Sequence, residues 1–308
     1  MEHAPVLLKE CIDGLNIKPG GVYVDGTLGR GGHTAEIAKR LGSGKIIAID
    51  RDIEAIRESE QELSLYRGII HYIHGNFKDI AQIIDTEGEE QVDGMLFDLG
   101  VSSPQLDSTL RGFSYMHDSP LDMRMDLSER LTAFEVVNKW PEENLSSLFF
   151  EYGEERYSKL IARAIVKQRS VSEIKSTFGL NEVIFSALPA AARRENQHPA
   201  KRCYQALRIA INNELESISD MLESAPGVLK SGARICVISF HSLEDRIVKN
   251  AFSKGAAGCV CPKDFPVCVC GVRPTLSVIT KRPIIPGKDE VDINPRSRSA
   301  KLRIAQRV

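Results

Sequence analysis

A glycine-rich segment near the N-terminus has the residue types and spacing of a turn that holds a ligand. The strand-like run VYVD ends at Asp25, and glycines follow at positions 26, 29, 31 and 32, before a helical pattern begins at His33. Glycine adopts positive φ angles and has no side chain, so a ligand can approach such a backbone closely. The alternative is an ordinary tight turn between a strand and a helix.

The order of these glycines and the acidic residues beside them separate two classes of cofactor. Dinucleotide-binding turns favour Gly-x-Gly-x-x-Gly, with a helix N-terminus directed at a pyrophosphate. This turn has the order Gly-x-x-Gly-x-Gly-Gly after Asp25. A carboxylate suits a cationic sulfonium or an amino group better than a pyrophosphate. Asp50, which ends the second predicted strand, could accept hydrogen bonds from both hydroxyls of a ribose. The segment therefore favours S-adenosylmethionine.

Further polar residues follow the fourth predicted strand, which ends at Asp98. Ser103, Pro104 and Gln105 come next, and loops at the carboxyl ends of parallel strands line the ligand crevice. Methyl transfer to an exocyclic amine needs acceptors for the amine hydrogens, and we expect Ser103 and carbonyls near Pro104 to supply them. His241, just past a strand end, is our candidate to take up the released proton. The alternatives are a Ser-Pro turn and a histidine that caps a helix.

Two basic stretches predict contact with RNA. The first covers residues 193–208, and the second covers residues 296–307, where no acidic residue occurs from Asn294 onward. Charge runs usually form solvated faces, but alternating Arg and Ser at 296–299 suits phosphate contacts better than a core strand. The residues assigned to RNA are Arg193, Arg194, Lys201, Arg202, Arg296, Arg298 and Lys301.

Four of the seven cysteines form two Cys-x-Cys pairs, at Cys259 and Cys261 and at Cys268 and Cys270. Four thiolates are enough to hold zinc tetrahedrally, although zinc knuckles more often have the spacing Cys-x-x-Cys. The alternative is a set of free or redox-labile thiols. We assign no catalytic metal.

The elements that must position these residues alternate between strand and helix over the first hundred residues. Apolar patterns predict strands at residues 22–25, 45–50, 69–73 and 92–98, and helices at residues 33–41, 53–66 and 77–84. Near-continuous apolar strands that alternate with helices indicate a parallel sheet covered on both faces. The predicted fold class is therefore α/β.

The alternation stops after Asp98 and resumes about a hundred residues later. Helical patterns at 145–152, 157–169 and 180–188 are followed by a predicted helix at 204–222, a turn at Pro226, a strand at 234–238 and a helix at 242–252. Ser242 and Asp245 have the spacing of a capping box for the last helix. We predict one α/β domain, at residues 1–104 and 204–308, with a helical domain inserted at residues 105–203 and a basic C-terminal tail.

Composition excludes several classes of protein. The 308 residues include 40 basic and 42 acidic side chains, a net charge of −2 that excludes a disordered or uniformly basic chain. The N-terminus has no signal-peptide pattern, and no apolar run approaches the ~18 residues of a membrane span. We therefore expect a cytoplasmic protein.

Several segments along the chain are distinctive enough in sequence to indicate a protein family. They are YVDGTLGRGGHT (23–34), DLGVSSPQLD (98–107), RGFS (111–114), LDMRM (121–125), PAKR (199–202), QALRI (205–209), SFHSLEDR (239–246) and NPRSRSAKLR (294–303). Together they resemble the RsmH (MraW) family of bacterial 16S rRNA cytosine-N4 methyltransferases.

The resemblance implies a class I S-adenosylmethionine-dependent methyltransferase, Rossmann-like with an inserted helical domain. It implies methylation of N4 of a P-site cytidine, position 1402 in the usual rRNA numbering, within the small ribosomal subunit. In this interpretation Asp50 holds the ribose, Phe77 lies near the adenine and Asp98 lies beneath the methyl donor. The cofactor contacts that it implies are Gly31, Gly32, His33, Asp50, Phe77, Asp98 and Gln105.

The chain departs from the usual amino-methyltransferase pattern of a polar residue, two prolines and an aromatic. Ser103-Pro104-Gln105 stands there instead, which leaves the base-stacking residue open between Phe113 and Phe240.

Two alternative functions remain: a non-enzymatic RNA- or ribosome-binding module, and a methyltransferase for small molecules or proteins, which leaves both basic stretches unexplained. A homodimer is compatible with the sequence, which does not decide the oligomeric state.

Overall fold

The computed structural model of the chain describes residues 5–194, 198–258, 261, 267, 270–271 and 273–308. Contacts between residues divide the chain into two compact units: the first consists of Met1–Gly100 and Leu215–Val308, and the second of Val101–Glu214. These borders differ at both ends from the predicted insertion at 105–203. The later C-terminal border arises because Cys203, Tyr204 and Leu207 are buried in the core of the second unit.

A seven-stranded sheet forms the centre of the first unit. Its strands are β1 (Val22–Asp25), β2 (Lys45–Asp50), β3 (Ile70–His74), β4 (Val92–Asp98), β5 (Leu229–Ser239), β6 (Leu276–Val278) and β7 (Lys301–Arg307). They lie in the order β3-β2-β1-β4-β5-β7-β6. Strands β1 to β5 run parallel, and β7 pairs antiparallel with β5 and β6. This mostly parallel sheet confirms the predicted Rossmann-like class I methyltransferase fold.

The helices lie at most of the predicted positions, with ends that shift by a few residues. In chain order they are α1 (Leu8–Leu15), α2 (Gly32–Leu41), α3 (Ile53–Glu62), α4 (Ile80–Thr86), α5 (Ser103–Asp107), α6 (Ala133–Lys139), α7 (Glu142–Glu151), α8 (Ser158–Arg169), α9 (Thr177–Ala187), α10 (Lys201–Asn212), α11 (Glu214–Val228), α12 (Ser242–Ala256) and α13 (Lys288–Ile293). Within the described ranges, no helix has the length and apolar character needed to cross a membrane.

The sheet carries a separate apolar core on each face. Successive residues of a strand point to opposite faces, so Tyr23 and Leu96 pack with α1, α2 and α3, whereas Val24 and Phe97 pack with α4, α11 and α12. The near-continuous apolar strands of the sequence follow from this double coverage. The second unit has its own core, built by α6 to α10 around residues such as Phe149.

Two helices occupy residues 204–222, where one long helix was predicted. α10 ends at Asn212, and Asn213 adopts a left-handed conformation with φ of 49° before α11 begins. The side chain of Asn212 bonds to the main chain of Met123 and Met125, so tertiary contacts hold the point at which α10 ends. Pro226 lies near the end of α11 rather than in a turn, where it removes only one main-chain hydrogen bond.

The chain from Lys301 onward is a strand within the sheet, not the predicted basic tail. Leu302 and Ile304 of β7 are buried, and so is Arg303, which is only 8% exposed. The Arg303 guanidinium donates to the Asp245 carboxylate of α12 at 2.6 and 3.2 Å, and Lys301 Nζ donates to it at 3.3 Å. Lys301 and Arg303 of β7 therefore neutralise a carboxylate inside the unit.

We expect replacement of Asp245 by alanine to lower the free energy of unfolding by about 3 kcal/mol, because it leaves the buried Arg303 cation without its carboxylate. Urea denaturation measures this loss. The double variant Asp245→Ala with Arg303→Met removes both charges and should regain most of the stability. A single variant as stable as the unmodified chain would contradict this account of β7.

Candidate active site

The glycine-rich loop between β1 and α2 lies at the carboxyl edge of the sheet. The Gly26 N–H donates to Leu96 O of β4 at 2.9 Å, and the Leu28 N–H donates to Ile49 O of β2 at 2.9 Å. These bonds hold the loop to both neighbours of β1. The loop therefore lies where ligands bind in open parallel sheets, outside the carboxyl ends of the strands.

Two of the glycines assigned to the cofactor are also required by the fold. Gly31 has a φ of 72°, and a Cβ there would lie 2.6 Å from Leu63 Cδ1. A Cβ on Gly32 would lie 2.3 Å from Pro5 Cγ. Backbone conformation and packing thus explain both residues without a ligand, and their contact with a cofactor remains a prediction.

Asp25 is buried under the loop rather than beside a ligand. Its carboxylate accepts hydrogen bonds from the Thr34 hydroxyl at 2.7 Å and from the Thr27 N–H at 3.2 Å. Burial raises the pKa of Asp25 to about 6 against the opposing effect of the Thr34 bond. Asp25 is only 1% exposed and holds the loop in shape. The carboxylate that favoured S-adenosylmethionine over a dinucleotide in the sequence therefore has a structural role.

Asp50 is held at the end of β2 with its carboxylate against the loop. Its Oδ2 accepts from the Gly29 N–H at 2.8 Å, and its Oδ1 accepts from the Asp52 N–H at 2.8 Å. Burial raises the pKa of Asp50 to about 6. Each carboxylate oxygen has a second lone pair, so this orientation leaves acceptor capacity for the two hydroxyls of a ribose.

Asp98, at the end of β4, has a buried carboxylate oxygen that the fold leaves unused. Its main-chain N–H donates to the Thr27 hydroxyl at 2.6 Å, but its Oδ1 has no hydrogen-bond partner among the described residues. Burial, together with the charges of Asp25 and Glu244, raises the pKa of Asp98 to about 8. A buried acceptor without a partner is costly unless a ligand supplies a donor or a positive charge.

His33 is neutral beside this carboxyl group. Burial lowers its pKa to about 4, and its Nε2 lies 3.1 Å from Val6 O. That contact places the ring proton on Nε2 and leaves Nδ1 facing Asp98 Oδ2 at 3.9 Å, beyond hydrogen-bond distance. His33 therefore supplies no cation to Asp98. The residues before α1, to which the sequence pattern assigned no role, orient this ring.

Phe77 lies at the start of a 3₁₀ turn (Phe77–Asp79) that follows β3, and β3 is the strand that pairs with β2. Its ring packs edge-to-face against Phe97 with centroids 5.7 Å apart, and it is half-buried. The remaining exposed part of the ring could contact an adenine, which is the role that the resemblance implies for this residue.

Ser103 and Gln105 belong to the second unit, at the N-terminus of α5. The Gln105 side chain accepts from the Ser102 N–H at 3.1 Å, and the Ser102 hydroxyl accepts from the Gln105 N–H at 3.4 Å. This capping box, with Gln105 only 7% exposed, gives Gln105 a local structural role. Its contact with the cofactor and the role of Ser103 in chemistry remain predictions.

His241 is the N-cap of α12, so the capping alternative describes its position. Its Nδ1 accepts from the Glu244 N–H at 3.4 Å, and the buried Glu244 carboxylate accepts from the N–H groups of Phe240 and His241 at 2.7 and 3.2 Å. The capping box is thus one residue earlier than the predicted pair Ser242 and Asp245. A catalytic role for His241 remains a prediction.

The two base-stacking candidates differ in exposure. Phe113 is 5% exposed within the core of the second unit, so it has no free face for a base, and that hypothesis is wrong. Phe240 is half-buried directly after β5. Phe240 therefore remains the candidate.

The residues assigned to RNA differ in their exposure and in the hydrogen bonds that they make within the protein. Lys301 bonds to Asp245, Lys201 is half-buried, and Arg193 donates to Leu188 O and Ser186 O at 2.8 and 3.1 Å. Contact between Lys301 and a phosphate would compete with Asp245. The residues with exposed side chains are Arg193, Arg194, Arg202, Arg296 and Arg298.

The zinc hypothesis depends partly on residues that lie outside the described ranges. Cys259 and Cys268 are not described, whereas Cys261 and Cys270 are partly exposed. A tetrahedral site needs four ligands. Zinc binding by these cysteines therefore stays a prediction, with free or redox-labile thiols as the alternative.

Comparison with known proteins extends over both units. The sequence profile of the MraW methylase family matches residues 1–308. The chain is 52% identical over 309 residues to ribosomal RNA small subunit methyltransferase H of Halothermothrix orenii, covering 100% of this chain and 99% of that protein. It is 52% identical over 306 residues to the protein of that name from Carboxydothermus hydrogenoformans (99% and 98% covered) and 48% identical over 307 residues to that from Clostridioides difficile (99% of each).

Proposed function

The chain belongs to the MraW methylase family, and on that premise we propose that it methylates ribosomal RNA of the small subunit with S-adenosylmethionine as methyl donor. The proposed target is N4 of the P-site cytidine 1402 in 16S rRNA. The relatives named above support rRNA as the substrate, and the family resemblance of the quoted segments taken together supports the cytidine amine. Such an enzyme would act in the cytoplasm.

The unused buried oxygen of Asp98 is the observation that best supports this cofactor. S-adenosylmethionine carries a sulfonium and an ammonium, and it supplies an electrophilic methyl group when bound. The Asp98 carboxylate would stabilise that positive charge, Asp50 would hold the ribose hydroxyls, and the half-buried Phe77 would contact the adenine. A pyrophosphate in this position would meet carboxylates without a compensating cation from His33, which is neutral.

Positioning accounts for most of the catalysis that we propose. Ser103 would accept a hydrogen of the cytosine amine and orient the nitrogen lone pair, and Phe240 would stack on the base. His241 would receive the released proton, for which its Nδ1 must give up the bond from Glu244 N–H. The proton could instead pass to water, and the His241→Ala variant distinguishes the two routes by its single-turnover rate.

In the deciding experiment, the protein is incubated with labelled S-adenosylmethionine and with small subunits that lack the modification. The methylated nucleoside in the product is then mapped. We expect N4-methylcytidine at the P-site position. Parallel reactions with naked rRNA and with protein extracts test the other substrates. Cofactor binding without transfer to any of them would favour a non-enzymatic binding module, and label in protein alone would contradict the proposal.

The Ser103→Ala variant should transfer the methyl group about tenfold more slowly at saturating subunit concentration, because the amine loses one hydrogen-bond acceptor. Its affinity for S-adenosylmethionine should be unchanged, which calorimetry measures. Ser102→Ala, which removes the cap of the same helix, is the control for loss of local order. An unmodified single-turnover rate in Ser103→Ala would remove this serine from the chemistry.

The 3₁₀ turn Pro295–Ser299 provides exposed cations that we assign to phosphates. Arg296 and Arg298 lie on it with exposed side chains. The double variant Arg296→Glu with Arg298→Glu should weaken binding to small subunits by about tenfold or more at low salt, and the loss should shrink as salt increases. Its affinity for S-adenosylmethionine should stay the same. Equal subunit affinities in both proteins would exclude this contact.

A further inference from the structure

The outer side of α9, in the second unit, carries two exposed phenylalanine rings. Phe178 is 45% exposed and Phe185 is 49% exposed, whereas Leu180 and Ile184 of the same helix are buried. Phe185 follows Phe178 by seven residues, so both rings lie on one side of the helix, about 10 Å apart along its axis. The outward side of an amphipathic helix is normally polar. Packing in the core therefore does not explain why two phenylalanines occupy these exposed positions.

Arginine side chains lie beside these rings. The Arg193 guanidinium is 4.9 Å from the Phe185 ring centroid, and its bonds to Leu188 O and Ser186 O hold it there. Arg194 follows with an exposed side chain. A cation held over an aromatic ring in this way adds a planar, positively charged surface to the end of α9.

The exposed Glu182 lies between the two rings along the same side of α9. Its carboxylate would repel a phosphate, but it is a suitable acceptor for the amino groups of nucleobases. The charges therefore favour one orientation of a bound strand, with bases over α9 and phosphates toward Arg193 and Arg194. A protein-binding surface would instead be more continuously apolar at its centre.

We propose that Phe178, Glu182, Phe185, Arg193 and Arg194, here called the α9 platform, bind a single-stranded segment of the RNA substrate by base stacking. The inference rests on the proposed function and adds a specific surface to it. Base–aromatic stacking tolerates sequence and works together with nearby arginines in proteins that bind single strands. The platform would hold RNA next to the target nucleotide, outside the chemical step.

The test compares the Phe178→Ala, Phe185→Ala double variant with the unmodified protein by fluorescence anisotropy, using a labelled single-stranded RNA. We expect the dissociation constant to rise about tenfold or more. Phe150→Ala is the matched control, since Phe150 is a 64% exposed phenylalanine on α7 of the same unit, and it should bind like the unmodified protein. An equal loss in the control would overturn the proposal.

An abasic RNA strand of the same length separates stacking from charge. The unmodified protein and the double variant should bind this strand equally weakly, because the strand has no bases that could stack on the phenylalanine rings. A variant that loses affinity for the abasic strand as well would indicate a change in fold or charge and would overturn the platform. Light scattering adds a further outcome: a lower oligomeric state with unchanged RNA affinity would make this surface a contact between two copies of the chain.

Methylation of small subunits distinguishes failure of the platform from failure of the proposed function. The double variant should need a higher subunit concentration for half-maximal transfer but reach the unmodified single-turnover rate at saturation. If the unmodified protein methylates subunits and the variant does so at the same half-saturating concentration, the platform is wrong and the function stands. If the unmodified protein methylates nothing, the function fails, while the anisotropy result still decides the platform.

Discussion

Replacement of Asp50 by alanine will weaken the binding of S-adenosylmethionine by about 100-fold or more. The carboxylate of Asp50 would accept two hydrogen bonds from the ribose, and losing charge-assisted bonds of this kind costs about 1.5–3 kcal/mol each. The variant also removes the acceptor for the Gly29 and Asp52 N–H groups, which loosens the loop that the cofactor must contact. Isothermal titration calorimetry measures the change directly.

Two further variants separate the ribose contact from the loop. Asp50→Asn keeps the side-chain volume and one acceptor oxygen, so it should lose less affinity than alanine. Asp52→Ala removes the N-cap of α3, whose side chain accepts from the Glu54 N–H at 3.1 Å. That change should lower stability by about 1 kcal/mol and leave cofactor affinity nearly unchanged. An Asp50→Ala variant with normal affinity would refute the ribose contact.

The affinity for S-adenosylmethionine will increase with pH between about 6 and 8, approaching about tenfold per pH unit at the acid end. The reason is Asp98, whose pKa is raised to about 8, first by burial and then by Asp25 and Glu244. Below that pH its carboxyl group is protonated in the free protein, whereas a cationic ligand favours the carboxylate. Binding must therefore release a proton, and affinity levels off once Asp98 is ionised without the ligand.

S-adenosylhomocysteine provides the matched comparison, because it lacks the sulfonium charge but keeps the rest of the ligand. Its affinity should depend less on pH over the same range. In Asp98→Asn the two ligands should have the same shallow dependence. Calorimetry in buffers of different ionisation enthalpy counts the protons released. Asp25 and Asp50, with pKa values of about 6, contribute only at the acid end, so an unchanged slope in Asp98→Asn would contradict this role.

The sequence alone predicts the parallel part of the sheet and the site at its edge. Strands that are buried on both faces need continuous apolar residues, and that local pattern marks β1, β2 and β4 at their observed bounds. Because the carboxyl ends of parallel strands meet at one edge, the pattern also brings the glycine-rich loop, Asp50 and Asp98 to the same place.

Other features depend on partners far away in the chain, and local patterns do not reveal them. Lys301 and Arg303 of β7 suit a core strand only because Asp245, 58 residues before Arg303, neutralises them. α10 ends where Asn212 bonds to Met125, 87 residues earlier.

The same division applies to the acidic residues of the site. Their types and positions at strand ends are local information, from which the pattern singles out Asp50, while the family resemblance adds Asp98. Only the tertiary structure decided that Asp25 bonds inward to Thr34, while Asp98 keeps an unused oxygen and a raised pKa. Burial and neighbouring charges determine a carboxyl group's protonation and its remaining bonding capacity, and both depend on how distant segments pack around it.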